Sequence, residues 1–264
     1  MGVSRSLAAP GEPEEQIAEL WHASVRSLAM GNGPPSVVLL PGLGLLGYLT
    51  PTVEALAGRG VRCNLLDLPG FGSARLLACR PTIASIAETA AAWVLAAGSG
   101  PVTLVGHSTG AQAALHAAIA LQDSGLVDAL VLAGPTVAPS QRSVGQLVVR
   151  APAAYRQDSP AELRVVPDLV RGRLDVLRML RSACRDEPER TIRDLRVPLL
   201  LTAGRADAFA SQAWLNQLAA AAIGSPWVRV VRLPGSHNNP YTHPGPLSGV
   251  IAAFAAAHRQ LSPH

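Results

Sequence analysis

The 264-residue sequence predicts an α/β protein in which a largely parallel sheet is covered by helices on both faces. Two observations predict it. Short apolar runs alternate with longer helix-like stretches along most of the chain, the rhythm of strand–helix–strand units. One of these runs, Val102-Thr-Leu-Val105, passes through Gly106-His107-Ser108-Thr109-Gly110 into an Ala-rich stretch that reaches His116. Gly-x-Ser-x-Gly between a strand and a helix has a mechanical meaning. The serine sits on a tight turn where only glycines leave room, so its hydroxyl stands clear at the sheet's edge. The helix behind it points unpaired N–H groups and a positive dipole end at any negative charge that develops there.

The elements follow in order. Residues 1–16 contain Pro and Glu and read as poorly ordered. Residues 17–30 are ambiguous: Ile17, Leu20, Trp21, Val25 and Leu28 share a helical face, whereas Trp21, Ala23 and Val25 alternate as in a strand. Gly31-Asn-Gly-Pro-Pro35 breaks the chain. A strand at 36–40 leads into Pro41-Gly42-Leu43-Gly44, and a short helix covers 51–58. The next strand, 61–66, runs into Asp67-Leu-Pro-Gly-Phe-Gly72. A helix at 83–97 precedes the strand at 102–105, and further strands fall at 129–133, 197–203 and 228–232. An amphipathic helix at 247–261 follows the last strand. Right-handed crossovers place the C-terminal ends of all parallel strands on one rim.

Composition narrows the function classes. An apolar fraction of 48% describes a globular chain with a sizeable core. All 22 basic side chains are arginine, the net charge is only +4, and no basic run is interleaved with aromatics, so nucleic acid is a poor partner. Cys63, Cys79 and Cys184 are odd in number and form no CxxC pair, which reads as reduced thiols in a reducing compartment. The histidines are scattered, and neither a metal nor another cofactor is expected. Nothing like a secretory h-region follows Arg5, and no apolar run reaches membrane-spanning length. The expectation is a cytoplasmic protein with a small-molecule substrate and no membrane attachment.

Residues 139–196 break the rhythm. No convincing strand lies there, and twelve arginines stand against eight Asp or Glu, an excess equal to the +4 of the whole chain. The simplest reading is a group of helices with solvated arginine faces. The sharper one is a helical cap over the site whose arginines attract anionic substrates.

Five motifs stand in family order: Pro41-Gly42-Leu43-Gly44, Asp67-Leu-Pro-Gly-Phe-Gly72, Gly106-His-Ser-Thr-Gly110, Gly204-Arg-Ala-Asp207, and Gly235-Ser-His237 with Pro244 beyond it. Over roughly residues 20–262 the chain resembles the α/β-hydrolase superfamily, especially its esterase-like members and the related C–C bond hydrolases. The resemblance implies a mostly parallel eight-stranded sheet with a helical cap after the sixth strand. The core is then 1–138 with 197–264, and the lid is 139–196.

The chemistry of the roles agrees with the order Ser, Asp, His that this fold uses. Ser108 is the candidate nucleophile, inert until a base takes its proton. His237 follows the strand at 228–232 and is the candidate base. His243 rivals it on the same loop, but the family does not use that position. His107 points to the other side of the elbow and packs, and His22, His116 and His258 read as ordinary surface or packed histidines. Asp207, just past the strand at 197–203, is the candidate acid that orients the imidazole. The other site some relatives use is Gly134-Pro135-Thr136 here and has no carboxylate. An oxyanion hole needs two backbone donors, and the expected pair is the N–H of Thr109 and the N–H of Leu43. One departure stands out: Pro41-Gly42 occupies the place of the usual His-Gly, so the histidine that braces this loop is missing.

The reading is a serine hydrolase that cleaves an ester-like bond of a small apolar molecule. Thioesterase, lactonase and C–C hydrolase chemistry use the same triad. A non-catalytic ligand-binding member of the fold is the alternative of another class.

Overall fold

The computed structural model of the chain describes residues 3–5, 13–34, 36–72, 77–98, 100–155 and 166–261. Its strands are β1 (Val3–Arg5), β2 (Glu14–Glu19), β3 (Ser24–Met30), β4 (Val37–Leu40), β5 (Cys63–Leu66), β6 (Val102–His107), β7 (Val127–Ala133), β8 (Leu199–Gly204) and β9 (Val228–Leu233). They form one sheet in the order β1-β2-β3-β5-β4-β6-β7-β8-β9. The pairings from β1 to β3 and between β3 and β5 are antiparallel, and the rest are parallel. Strands β2 to β9 are the expected eight-stranded, mostly parallel sheet, and β1 extends its edge by three residues.

The N-terminus corrects one expectation. Of residues 1–16, residues 3–5 and 14–16 are strand, while 1–2 and 6–12 lie outside the described residues. The ambiguous stretch becomes the β2–β3 hairpin, closed by Leu20 N–H donating to Ala23 O at 2.8 Å. Strand wins over helix because β3 has a partner on each side. It pairs β2 on one edge and β5 on the other, with Ser27 opposite Leu66 and Met30 opposite Cys63. A helix would have left the backbone donors and acceptors of β5 open along that edge.

The helices are α1 (Thr50–Ala57), α2 (Ile83–Ala97), α3 (Thr109–Leu121), α4 (Val144–Ala154), α5 (Val166–Arg185), α6 (Pro188–Thr191), α7 (Gln212–Ala221), α8 (Asn239–Thr242) and α9 (Pro244–Leu261). Alternate strand residues divide between two cores. Val38, Leu40, Leu104, Leu130 and Leu201 face α2 and α3, whereas Val37, Leu39, Val105, Val131 and Leu200 face α1 and α9. Burial on both faces explains why β4, β5, β6 and β8 contain no exposed residue, and why they read as continuous apolar runs.

The insertion follows β7, the sixth of the eight strands. Its described part is helical, and residues 156–165, with Arg156 and Arg164, lie outside the described residues. The end of α5 is anchored deeply. Met179 and Ala183 are fully buried in the α2–α3 core, Ser182 Oγ accepts the Ile83 N–H at 3.0 Å, and Gln112 Nε2 donates to Ala183 O at 3.0 Å. Several of its arginines pair with acids: Arg142 with Glu187 and Glu189, Arg178 with Asp175, Arg190 with Glu187 and Arg196 with Asp123. Among the described residues no helix is long and apolar enough to cross a membrane.

Candidate active site

The centre of the site is the turn from β6 into α3. Ser108 adopts φ 56°, ψ −124°, outside the regions open to an ordinary side chain. Such strain costs on the order of 1–3 kcal/mol and persists only where the surroundings impose it. Here they do. Ser108 N–H donates to Ala133 O at 3.0 Å, and Ala111 N–H donates to Ser108 O at 3.0 Å. A Cβ on Gly106 would collide with Gly110 O, and one on Gly110 would stand 2.6 Å from Pro41 O. Both flanking glycines are therefore required by the close crossing of strand, helix and neighbouring loop.

The structure brings Ser108, His237 and Asp207 together from three different strand ends. His237 Nε2 lies 3.0 Å from Ser108 Oγ, and His237 Nδ1 lies 2.9 Å from Asp207 Oδ2. A carboxylate only accepts, so Nδ1 carries the proton and Nε2 is left to accept the serine hydroxyl. The other carboxylate oxygen, Oδ1, accepts the N–H groups of Phe209 at 2.8 Å and Ala210 at 3.0 Å. Burial pushes the Asp207 carboxyl up, but the neighbouring His237 and these hydrogen bonds outweigh it and hold the acid below its ordinary value. The loops that carry Asp207 and His237 are packed backbone against backbone: a Cβ on Gly204 would press into Gly235 and Ser236.

Rings enclose the imidazole. Phe209 and Tyr155 stand edge-on to His237 at centroid distances of 4.9 and 5.6 Å, and His107 lies 4.9 Å away on a tilt. The insertion also holds His237 by its main chain, because His237 N–H donates to Ala154 O, the last residue of α4, at 3.0 Å. None of Tyr155, Phe209 or Ala154 belongs to a motif, so pattern reading does not find them.

His107 does more than pack. Gly42 N–H donates to Tyr48 Oη at 2.6 Å, Tyr48 Oη and His107 Nδ1 are 2.7 Å apart, and His107 Nε2 is 3.0 Å from the His237 carbonyl. The backbone N–H at one end only donates and the carbonyl at the other only accepts. The proton order is thereby fixed: Tyr48 donates to Nδ1, and Nε2–H donates to His237 O. Burial, reinforced by the charge of His237, lowers His107 to about 3, so this ring is neutral. Burial pushes the Tyr48 phenol upward, so it keeps its proton. The brace that the missing histidine would give the loop after β4 comes here from Tyr48.

The two expected oxyanion donors differ. Thr109 N–H is at the first position of α3, where a helix leaves its donors unpaired. Leu43 N–H, turned inward by φ 50°, instead donates to Thr109 Oγ1 at 2.8 Å. The remaining histidines sit elsewhere: His243 Nδ1 is 2.9 Å from Thr242 Oγ1, and His116 Nε2 is 2.8 Å from Asp186 Oδ1. The side chain of His258 lies outside those described. Among the described residues no group of three or more His, Cys, Asp or Glu side chains could hold a metal ion.

A strained serine at a strand–helix turn, facing a buried histidine and carboxylate over a mostly parallel sheet, defines the class. The chain belongs to the alpha/beta hydrolase family, whose model matches residues 37–249. No curated protein matches it. Solved structures of the same fold include the thioesterase domain from the curacin biosynthetic pathway, at 17% identity and TM-score 0.69, covering 91% of this chain and 99% of that one. Another is the enol-lactonase from Burkholderia xenovorans, at 18% identity and TM-score 0.68, with 91% and 99% covered. A serine hydrolase of carbazole degradation reaches 22% identity and TM-score 0.69, with 92% and 98% covered. At these identities the likeness is one of fold.

Proposed function

We propose that this protein is a serine hydrolase that cleaves an ester-like bond of a small apolar molecule, with Ser108 as nucleophile, His237 as base and Asp207 as acid. The observation that carries the proposal is the pair of contacts made by one ring, 3.0 Å to Ser108 Oγ and 2.9 Å to Asp207 Oδ2. As the Ser108 Oγ–carbon bond forms, the serine proton passes to His237 Nε2 and the carbonyl electron pair moves onto oxygen. Asp207 keeps the imidazolium in place without taking the proton. Collapse expels the leaving group, which takes the proton from His237. Water, activated by the same nitrogen, then frees the acid. The steps need no cofactor.

The rings of Tyr155 and Phe209 beside the base support an apolar substrate, with α4 and α5 as the lid over it. Thioesters and lactones meet the same chemistry, and the thioesterase and enol-lactonase among the structural neighbours make them the first variants to assay. A cytoplasmic location completes the proposal. It is supported by three cysteines that form no disulfide.

The test is turnover of short p-nitrophenyl esters together with fluorophosphonate labelling. Label is expected on Ser108, and Ser108→Ala should lose about 10⁴-fold or more in kcat. Label at another residue, or an alanine variant as active as the parent, overturns Ser108 as nucleophile, and a parent that neither turns over ester nor takes the label overturns the proposal in favour of a binding protein.

A further inference from the structure

We infer that the hydroxyl of Thr109 is itself an oxyanion donor, with Leu43 N–H polarising it from behind rather than touching the substrate. The inference rests on Ser108 being the nucleophile. An oxyanion on carbon bonded to Ser108 Oγ needs donors about 2.7–3.1 Å away, aimed at the oxygen's position in the tetrahedral intermediate. Thr109 N–H is one such donor by its place at the start of α3. The second expected donor, Leu43 N–H, is committed to Thr109 Oγ1 at 2.8 Å.

That contact leaves one hydrogen over. An N–H can only donate, so Thr109 Oγ1 accepts, and its own O–H remains to be given. Threonine inside a helix usually gives it to the carbonyl four residues back. Thr109 opens α3, and the residue four back, Val105, lies in β6. Among the described residues the Thr109 O–H meets no acceptor, although the residue is only 2% exposed. A buried hydroxyl with an uncommitted proton is a donor awaiting an acceptor.

Its place suits an oxyanion. The loop carrying Leu43 lies directly on the nucleophile, since a Cβ on Gly42 would stand 2.6 Å from Ser108 Cβ. Thr109 Oγ1 is hydrogen-bonded to that loop, so it lies between loop and elbow, where the carbonyl oxygen must enter. Within one threonine the hydroxyl oxygen is three bonds from the amide nitrogen, so a single substrate oxygen can accept from both. A hydroxyl that already accepts an N–H is polarised and donates more strongly, and its bond to an anionic oxygen is a short, charge-assisted one. The donation strengthens only as the carbonyl pair moves onto oxygen, so it acts on the transition state.

The experiment compares Thr109→Val, Thr109→Ala and Thr109→Ser with the parent, reading kcat and KM on p-nitrophenyl butyrate and the melting temperature of each. Loss of a donor used only in the transition state lowers kcat by about 10²-fold or more and leaves KM nearly unchanged. Valine and alanine should both show this loss while remaining folded at the assay temperature, and serine, which restores the O–H, should recover most of it. If the hydroxyl merely occupies the Leu43 N–H, alanine frees that donor, and kcat stays level or rises. That result overturns the inference while Ser108 remains the nucleophile. A parent protein that neither turns over ester nor takes fluorophosphonate on Ser108 removes the nucleophile and the inference together.

Discussion

Tyr48 Oη and His107 Nδ1 lie 2.7 Å apart, and this contact joins the loop after β4 to the loop that carries His237. The two loops reach the site from opposite sides of β6. Tyr48→Phe keeps the ring and removes the relay, leaving Gly42 N–H and His107 Nδ1 buried without their partner. Each such group costs about 1–3 kcal/mol, and small displacements at a reacting centre cost up to about 10²-fold in rate. The variant should fold, melt lower and lose kcat more than KM. In a double-mutant cycle with His107→Gln, the two losses should be clearly less than additive, as for groups in one network. Simple additivity in kcat would show that the residues act separately.

The neutral state of His107 gives a stability signature. Burial, with the charge of His237 added, takes its folded value from 6.5 to about 3. The unfolded chain therefore binds a proton that the folded chain refuses throughout that window, and stability falls as pH drops from about 6.5 towards 3. The slope approaches about 1.4 kcal/mol per pH unit for this one group. Asp207, held below 3.8, acts in the same direction but lower down: its stabilisation is present above 3.8 and lost as pH falls below it. Urea unfolding between pH 6.5 and 4.5 isolates the histidine. His107→Gln should flatten the slope there by close to one proton, and coincident slopes for parent and variant would refute a neutral buried His107.

Asp207 divides its two oxygens between Phe209 and Ala210 on one side and His237 on the other. In Asp207→Asn, the amide oxygen is drawn to the two backbone donors, and the NH₂ then faces His237 Nδ1. The ring must take the other tautomer, presenting Nε2–H to Ser108 instead of a lone pair. Activity near neutral pH should fall on the order of 10⁴-fold, about 5 kcal/mol of barrier. His243→Ala, whose ring is bonded to Thr242, should change kcat only slightly. The assignment fails if the asparagine variant keeps more than about a tenth of the activity, or if the dead variant is His243→Ala.

The meeting of Ser108, Asp207 and His237 was legible from residues alone because the turns that carry them are set by local chain geometry. Gly106 and Gly110 can be read as a forced turn without knowing what crosses there, and the structure supplies Pro41 as the crossing partner. Helix 83–97 matches α2 to the residue, since its Thr82 cap and the glycine after it mark both ends. The hairpin of β2 and β3 was ambiguous because the deciding factor, the open edge of β5, is supplied from residues 63–66. The contacts of Tyr48, Thr109 Oγ1 and Ala154 around the triad residues were not legible for a related reason. Each acts through a contact between segments far apart in sequence, and tyrosine, threonine and alanine carry no signal that separates such a contact from ordinary packing.

The hydrogen bond from His237 N–H to Ala154 O has a consequence for how this chain could change over generations. α4 exposes Val148 at 64% and Val149 at 79%, positions open to exchange. The far end of the same helix is a fixed post. A residue added or removed within α4, between Val144 and Ala154, would rotate that carbonyl by about 100° about the helix axis, as any one-residue shift does at 3.6 residues per turn, and release the His237 N–H. Change along α4 is therefore confined to substitution at such exposed positions, while the count of residues from Val144 to Ala154 stays as it is.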